Sequence, residues 1–461
     1  MKWALIKRQL SVGVFAMGLV IFSFSATFAA PIKQPAVVKI NPDSLKTLLL
    51  EQNISLMLQL NKVYQAKEQV NLSRAQLLPS INLGSVISSG PSFALTTVSM
   101  LLPFLMPSNW FDLKESQHLL NAQATSYYIA QLNTYSSAYS VYATVVGDME
   151  LREVLYKQYL NHREIEELIA LAVDAGMMQQ SDLLQAQAQT QLSSIQVSQI
   201  DDLLQREKSA IREMLALPLA QEIVFDKVHL TPSPSELLPA QVLLDRATAK
   251  APEIKQMNSM ISAANTAKWS KGFSFLTGSS LGASRSGRGS AFGSITQTGS
   301  VNLGFGYFPA LKLTDYNIDE LKLQKTQLTF DQAQLIESTL GSLAEAQKQI
   351  KLAQQAETSL ELVYQGEVEK FRAGLTDLLH VLSAANSLTT ALTNKVKAQA
   401  NLDTLRVSLN RIMLEERFAL VGACQLERKG TGGITGRLGR VFNPKKDQVS
   451  LDEACGPQTV N

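Results

Sequence analysis

Residues that build metal and catalytic sites are scarce in this chain. Its 461 residues include four histidines and two cysteines. No close pair of Cys or His residues supplies the ligands of a zinc site. The chain also lacks a Gly-rich phosphate loop followed by Lys-Ser/Thr, an HExxH motif and a GxSxG motif. The sequence therefore predicts neither an enzyme nor a bound cofactor or metal.

An excess of one charge and long apolar runs are missing as well. Lys and Arg total 42 against 40 Asp and Glu, so the net charge of +2 gives no argument for nucleic-acid binding. Beyond residue 30, no uninterrupted apolar stretch reaches the ~18 residues of a membrane-spanning helix. We therefore expect no nucleic-acid partner and no second spanning helix after the N-terminal segment.

The first 29 residues have the pattern of a secretory signal peptide. Lys2 and Arg8 lie in a basic segment, an apolar run follows from Leu10, and Thr27 and Ala29 are small residues suited to a cleavage site. The alternative is a retained membrane anchor. We expect cleavage after Ala29 and an exported mature protein.

Proline is absent from two long stretches, residues 108–217 and 310–443. Both are rich in Ala, Gln, Leu, Glu and Lys, which are strong helix formers, and their apolar residues recur at spacings of three and four. Each stretch has a glycine with turn character, Gly176 and Gly374, which suits the positive φ that ends a helix. Both stretches are therefore predicted to be long helical hairpins.

The two hairpins belong to a duplicated unit. The sequences "VDAGMMQQSDLLQAQAQ" at 173–189 and "FRAGLTDLLHVLSAANS" at 371–387 place their glycines 198 residues apart. Each unit contains a helix, a β-hairpin and a long helical hairpin, which gives the following expected boundaries: first repeat 30–230 with β-hairpin 79–106 and helical hairpin 110–217; second repeat 231–420 with β-hairpin 272–308 and helical hairpin 311–416. A basic, Gly-rich tail at 421–461 is expected to be disordered, with Cys424 and Cys455 able to pair in an oxidising compartment.

The predicted β-hairpins have strands of about ten residues, the length of a tilted transmembrane strand. The segment "GSVNLGFGYF" at 299–308 alternates apolar residues with Asn and Gly. Four strands cannot close a barrel, and open edges in lipid would cost several kcal/mol per unpaired group. Three chains would supply twelve strands, enough to enclose a pore. The alternative is a small soluble β-domain packed on the helices.

The ordered set of motifs resembles the TolC-like outer-membrane efflux proteins. The resemblance is carried by "A-G-x₅-D-L-L-x-A" at 175–186, "A-G-x₅-H-V-L-x-A" at 373–384 and "LLPSINL" at 77–83, and it covers roughly residues 40–420. It implies a mainly α, α+β membrane protein. It also implies a homotrimer in outer-membrane lipid, with a twelve-stranded barrel continued by a periplasmic α-helical barrel. The implied partners are a periplasmic adaptor protein and an inner-membrane transporter.

Four residues near the predicted tips are candidates for a periplasmic constriction: Ser181, Asp182, His380 and Ser383. The resemblance implies that Asp182 lines an acidic ring, whereas the alternative is a first-turn charge favoured by the helix dipole. Better-known members of the family have an acidic residue at the position of His380, so a second acidic ring is in doubt. A histidine ring would titrate near neutral pH, and the alternative is a half-exposed helical histidine.

The turn glycines Gly176 and Gly374 are the predicted docking points for the adaptor, a role compatible with plain helix caps. Arg372 precedes the second glycine and could bind a carboxylate within the tip or on an adaptor, or be a lone surface arginine. Together with these features, the resemblance implies an outer-membrane channel-tunnel that exports small molecules or proteins. The alternative is a periplasmic coiled-coil tethering protein without channel activity.

Overall fold

The computed structural model of the protein describes residues 37–78, 104–273, 307–419 and 421. The described elements of the first half are, in order, β1 Val37–Ile40, α1 Pro42–Gln52, α2 Ile54–Ala75, α3 Pro107–Asp174 and α4 Gln180–Met214. Those of the second half are β2 Glu222–Phe225, a 3₁₀ turn Pro234–Leu237, α5 Ala240–Lys250, α6 Pro252–Phe273, α7 Tyr307–Arg372, α8 Leu378–Met413 and a 3₁₀ turn Glu416–Phe418.

The two halves repeat the same sequence of helices. Helices of 11 and 22 residues (α1 and α2, then α5 and α6) are each followed by a very long helix, of 68 residues in α3 and 66 in α7. Each long helix turns back through a shorter arm, of 35 residues in α4 and 36 in α8. At ~1.5 Å per residue the long arms extend about 100 Å. This confirms the predicted fold class, a mainly helical chain with duplicated long hairpins.

A small sheet ties the start of the chain to the end of the first hairpin. Strands β1 and β2 pair in parallel, with Val37 opposite Glu222 and Ile40 opposite Phe225. Beneath the sheet, α3 presents three tyrosines spaced at three and four residues, Tyr135, Tyr139 and Tyr142, and each is 2% exposed or less. The rings of Tyr135 and Tyr139 stack on each other, and the other contacts, including those with Phe225 and Phe418, are tilted. The core therefore lies where the two repeats meet the connecting segment, which is the stretch between α4 and α5 that contains β2.

The long helix of the first repeat approaches the second repeat very closely at one glycine. A Cβ atom built on Gly147 of α3 would lie 2.5 Å from the Cβ of Ala400 on α8. Real Cβ atoms do not approach each other this closely. The absence of a side chain at Gly147 thus allows α3 and α8 to pack almost backbone to backbone.

Several predictions fall on residues outside the described ranges: the signal peptide, most of β-hairpins 79–106 and 272–308, and the tail with Cys424 and Cys455. At the edges of the predicted strands the chain is helical, at residues 104 and 105, 272 and 273, and 307 and 308. At one of these edges, aromatic stacking explains why the helix continues into the predicted strand, since Phe273 stacks on Phe111 with ring centroids 5.6 Å apart. The prediction of strands is therefore wrong at these end residues. No helix within the described ranges is long and apolar enough to cross a membrane.

Candidate functional site

The two hairpin tips have the same backbone geometry. Gly176 has φ +73° and Gly374 has φ +69°. At the first tip the Met177 N–H donates to the Ala172 carbonyl oxygen at 2.8 Å, and at the second the Leu375 N–H donates to the Lys370 carbonyl oxygen at 2.8 Å. This six-residue closure is the Schellman end of a helix, in which a left-handed residue lets the last carbonyls find donors.

Alanine at either tip glycine is expected to destabilise the turn by about 1 kcal/mol, because only glycine adopts positive φ without strain. Nothing lies within 4 Å of a Cβ built at Gly176 or Gly374, so the cost comes from the backbone alone. Hydrogen exchange of peptides spanning the tips measures the change. Gly341→Ala in α7, also in open space but without positive φ, is the matched control and should not accelerate exchange.

Carboxylates cap both return arms, but from different positions. In the first repeat Asp182 lies in the first turn of α4, and its Oδ2 accepts a hydrogen bond from the Gln179 N–H at 3.1 Å. In the second repeat Asp377 is the residue before α8, and its Oδ1 accepts from the His380 N–H at 3.1 Å. One carboxylate per tip therefore satisfies a free N–H of the helix start. In the second repeat the cap thus comes from Asp377, three residues before His380, which occupies the position that Asp182 has in the first repeat.

His380 is bound to the capping carboxylate of its own turn. Its Nδ1 lies 2.5 Å from the Asp377 Oδ1, and both side chains are about two-thirds exposed. The hydrogen bond to Asp377 raises the pKa of His380, and the same contact lowers the pKa of Asp377. The histidine therefore holds its proton above the pH at which a free imidazole loses it.

The Asp377→Asn variant is expected to bring the pKa of His380 back towards its ordinary value of 6.5, because the charged acceptor is lost while the cap is kept. NMR titration of the His380 ring measures this shift directly. The Asp174→Asn variant, which removes an exposed carboxylate of the first tip, should leave the titration unchanged. An unchanged His380 titration in Asp377→Asn would contradict the assigned contact.

A cleft of about 570 Å³ separates the two tips. Its lining mixes apolar side chains, such as Leu168 and Phe371, with the charged Asp182, Arg372 and Asp377. Arg372 Nη1 lies 3.1 Å from the Glu369 Oε1, and Nη2 is 4.0 Å from Glu164 on α3. The arginine therefore has carboxylate partners inside the tip region.

The remaining predicted residues are on the surface of the return arms. Ser181 is exposed, and its hydroxyl donates to the Gln179 side-chain oxygen at 3.3 Å. Ser383 is exposed on α8, one turn after His380. The structure thus places Asp182 and Arg372 at one cleft, while Ser181 and Ser383 are not among its lining residues.

Exposed apolar side chains surround the tips and were missed by sequence reasoning. They are Leu171, Met177, Leu375 and Leu379, which are 61–78% exposed. The sequence does contain a sign of this surface, because Met177 and Leu375 directly follow the turn glycines. They lie outside the apolar stripe that packs the hairpins. Behind them a buried cluster joins both hairpins, with Ile165 and Ile169 of α3 against Leu378 and Leu382 of α8. The two tips therefore form one surface of apolar and acidic residues, which packs on this shared buried cluster.

Within the described ranges no group of three or more His, Cys, Asp or Glu residues is arranged to hold a metal ion. The titratable groups at the tips are instead used in caps and ion pairs. Their arrangement can present charge to a passing or docking molecule.

No protein-family model and no curated protein matches the chain. Among solved structures it is similar to the CmeC outer-membrane channel of Campylobacter jejuni, with 16% identity and a TM-score of 0.64 over 84% of this chain and 90% of that chain. The outer-membrane protein VceC of Vibrio cholerae matches at 15% identity and a TM-score of 0.62 over 81% and 95%.

CusC, described for its transmembrane channel formation, matches at 16% identity and a TM-score of 0.63 over 83% of this chain and 95% of that chain. At identities this low, the TM-scores establish a shared fold and nothing more. The high coverage shows that the likeness includes both repeats. The chain has the fold of the TolC-like outer-membrane channels, as its sequence motifs predict.

Proposed function

We propose that this protein is the subunit of a homotrimeric outer-membrane channel-tunnel. It would export small molecules or proteins across the periplasm and outer membrane together with an inner-membrane pump and a periplasmic adaptor. The observation that carries the proposal is the duplicated pair of ~100 Å hairpins, in a fold shared with outer-membrane channels along nearly their whole length. Hairpins of this length suit a tunnel wall, since ordinary globular helices are only about 11–12 residues long.

An exposed apolar stripe on α7 supports assembly from several copies. Tyr316, Leu323 and Phe330 are spaced by seven residues and are 69%, 71% and 68% exposed. Heptad spacing brings side chains to one face of a helix and is typical of helices that pack along one another. A single chain leaves this face in water, whereas a neighbouring copy in a helical barrel would cover it. Three copies would also supply the twelve strands that the sequence predicts for a closed barrel.

The acidic tips support an aperture that favours cations. Three copies of Asp182 around an axis would make a ring of negative charge, the arrangement found in cation-selective constrictions. His380 and Ser383 would lie on the second arm of the same ring, and Ser181 beside Asp182. The tip glycines and Arg372 would face the adaptor.

Asp182→Asn is expected to lower the ratio of cation to anion permeability by a few fold, because the amide keeps an acceptor for the Gln179 N–H but removes three charges per trimer. Reversal potentials in a salt gradient across a planar bilayer measure the ratio. Asp202→Asn, which removes a carboxylate paired with Arg206 on the exposed side of α4, is the matched control. Equal ratios for Asp182→Asn and wild type would remove Asp182 from the aperture.

The second candidate function is a periplasmic coiled-coil tether, which the heptad stripe on α7 also fits. The two candidates differ in mass and in membrane behaviour. We expect the detergent-extracted protein, corrected for bound detergent, to have the mass of three chains and to resist salt washes. A protein released by salt and weighing one or two chains would reject the channel and favour the tether.

A further inference from the structure

Two carboxyl groups face each other where the first hairpin meets the second repeat. Asp148 follows Gly147 on α3, at the close crossing with Ala400 of α8, and Glu207 lies opposite on α4. Both side chains are only partly exposed. The Glu207 Oε2 is buried and has no ordinary donor among the described residues. Since neither carboxylate can donate, a hydrogen bond between them requires one proton on the pair.

Burial, the neighbouring charge of Asp148 and the hydrogen bond with Asp148 together raise the pKa of Glu207 to about 8. Burial also raises the pKa of Asp148, whereas its hydrogen bond with Glu207 and the charge of Lys397 on α8 oppose that rise. The pair therefore carries one proton near neutral pH, held by Glu207 and donated to Asp148. With that proton in place, the charges of Asp148 and Lys397 balance.

Several other charged groups near the junction form ion pairs of their own. One turn towards the tip, Arg152 of α3 binds Asp201 of α4 at 2.5 Å. On the opposite side, His229 of the connecting segment contacts Glu150 at 2.8 Å and Asp403 at 2.6 Å. No further cation among the described residues acts on the pair besides Lys397. Loss of the shared proton therefore leaves an uncompensated negative charge between α3 and α4.

We propose that the Asp148–Glu207 pair is a pH-sensitive lock that holds α4 against α3 through one shared proton and loosens when that proton is lost. The pair lies near the C-terminal end of α4, at the end of the hairpin away from the tip. The inference concerns the fold of the hairpin and stands whether or not the protein conducts.

The direction of the pH effect follows from linkage. A carboxyl whose pKa is higher in the folded state binds more protons there than when unfolded. Its contribution to stability is fully present below the ordinary value of 4.5 and is lost as the pH rises to about 8. The α3–α4 contact should therefore weaken between these limits. His229 acts in the same direction on the connecting segment, because its hydrogen bonds to Asp403 and Glu150 outweigh burial and raise its pKa.

Hydrogen exchange of the full-length protein at several pH values, corrected for the intrinsic exchange rate, tests the lock. In wild type, we expect the opening constant of α4 peptides around Glu207 to rise by about tenfold or more from pH 6 to pH 9, the equivalent of one pKa unit. In Glu207→Gln, whose amide donates to Asp148 at every pH, the rise should be less than about twofold. Glu213→Gln, an exposed change on the same helix, should behave as wild type.

Two further variants keep the test decisive if Glu207→Gln folds poorly. Lys397→Met removes the compensating cation, so the transition should move to higher pH. Asp148→Asn removes the charge that raises the proton affinity of Glu207, so the transition should move to lower pH. Peptides of the connecting segment around His229 should keep their wild-type pH dependence in all of these variants. A flat wild-type profile, or a wild-type rise in Glu207→Gln, would overturn the proposal.

Discussion

Replacing Arg406 with methionine is expected to lower the free energy of unfolding by about 3 kcal/mol, because breaking a buried ion pair leaves a charge without compensation. Arg406 and Glu236 are only 8% and 6% exposed, with Nε and Oε1 2.9 Å apart. Arg406 Nη1 also donates to the Leu230 carbonyl oxygen at 2.7 Å. The variant therefore leaves the Glu236 carboxylate and the Leu230 carbonyl without their arginine donor where the two repeats meet. Urea denaturation at fixed protein concentration measures the loss.

The double variant Arg406→Met with Glu236→Gln should recover part of that loss, since the stranded carboxylate becomes neutral. The side chain at position 236 keeps two other donors in either case, the Ser233 N–H at 2.9 Å and the Gln347 Nε2 at 3.2 Å. The matched control is Arg163→Met, which breaks a largely exposed pair with Glu167 and should cost less than about 0.5 kcal/mol. Equal losses at Arg406 and Arg163 would show that burial of the pair is irrelevant to stability.

Gly147→Ala is expected to cost about 2 kcal/mol, although alanine is the better helix former. The added Cβ would lie 2.5 Å from the Ala400 Cβ, so α3 and α8 must move apart. Overpacking of this kind typically costs 1–3 kcal/mol. Urea denaturation under the same conditions measures the change. Gly366→Ala, where nothing lies within 4 Å of the new Cβ, is the control and should be neutral or stabilising by about 1 kcal/mol.

A swap of the two small residues identifies the contact itself. In the double variant Gly147→Ala with Ala400→Gly, one Cβ again lies between the helices, so stability should return to within about 1 kcal/mol of wild type. If the losses of unfolding free energy in the two single variants simply add in the double variant, the close approach of α3 and α8 is not the reason for glycine at position 147.

The long hairpins could be predicted from sequence because their signals are local. The absence of proline, the helix-forming composition and a glycine at each turn all act within a few residues of one another. The parallel pairing of β1 with β2 could not be predicted in this way. Each strand has only four residues, too few for a period of two to be seen, and their partners are far apart in the chain.

The tip could be located from sequence, whereas the contacts of its side chains could not. The duplicated "A-G" turns identify Gly176 and Gly374 as the places of positive φ, which the structure shows. The exchange of the capping carboxylate between Asp182 and Asp377 depends on which N–H group each one reaches. The joint of Arg406 with Glu236 depends on residues from a linker and an arm that only the folded chain brings together. The aperture and docking roles of the tip residues stay predictions.

The central claim is that copies of this chain enclose a pore, and conductance across a planar bilayer tests it most directly. We predict long-lived, uniform conductance steps from the purified assembly, with a cation preference that falls in Asp182→Asn. Protein that is shown to be incorporated in the bilayer yet produces no steps would contradict the account.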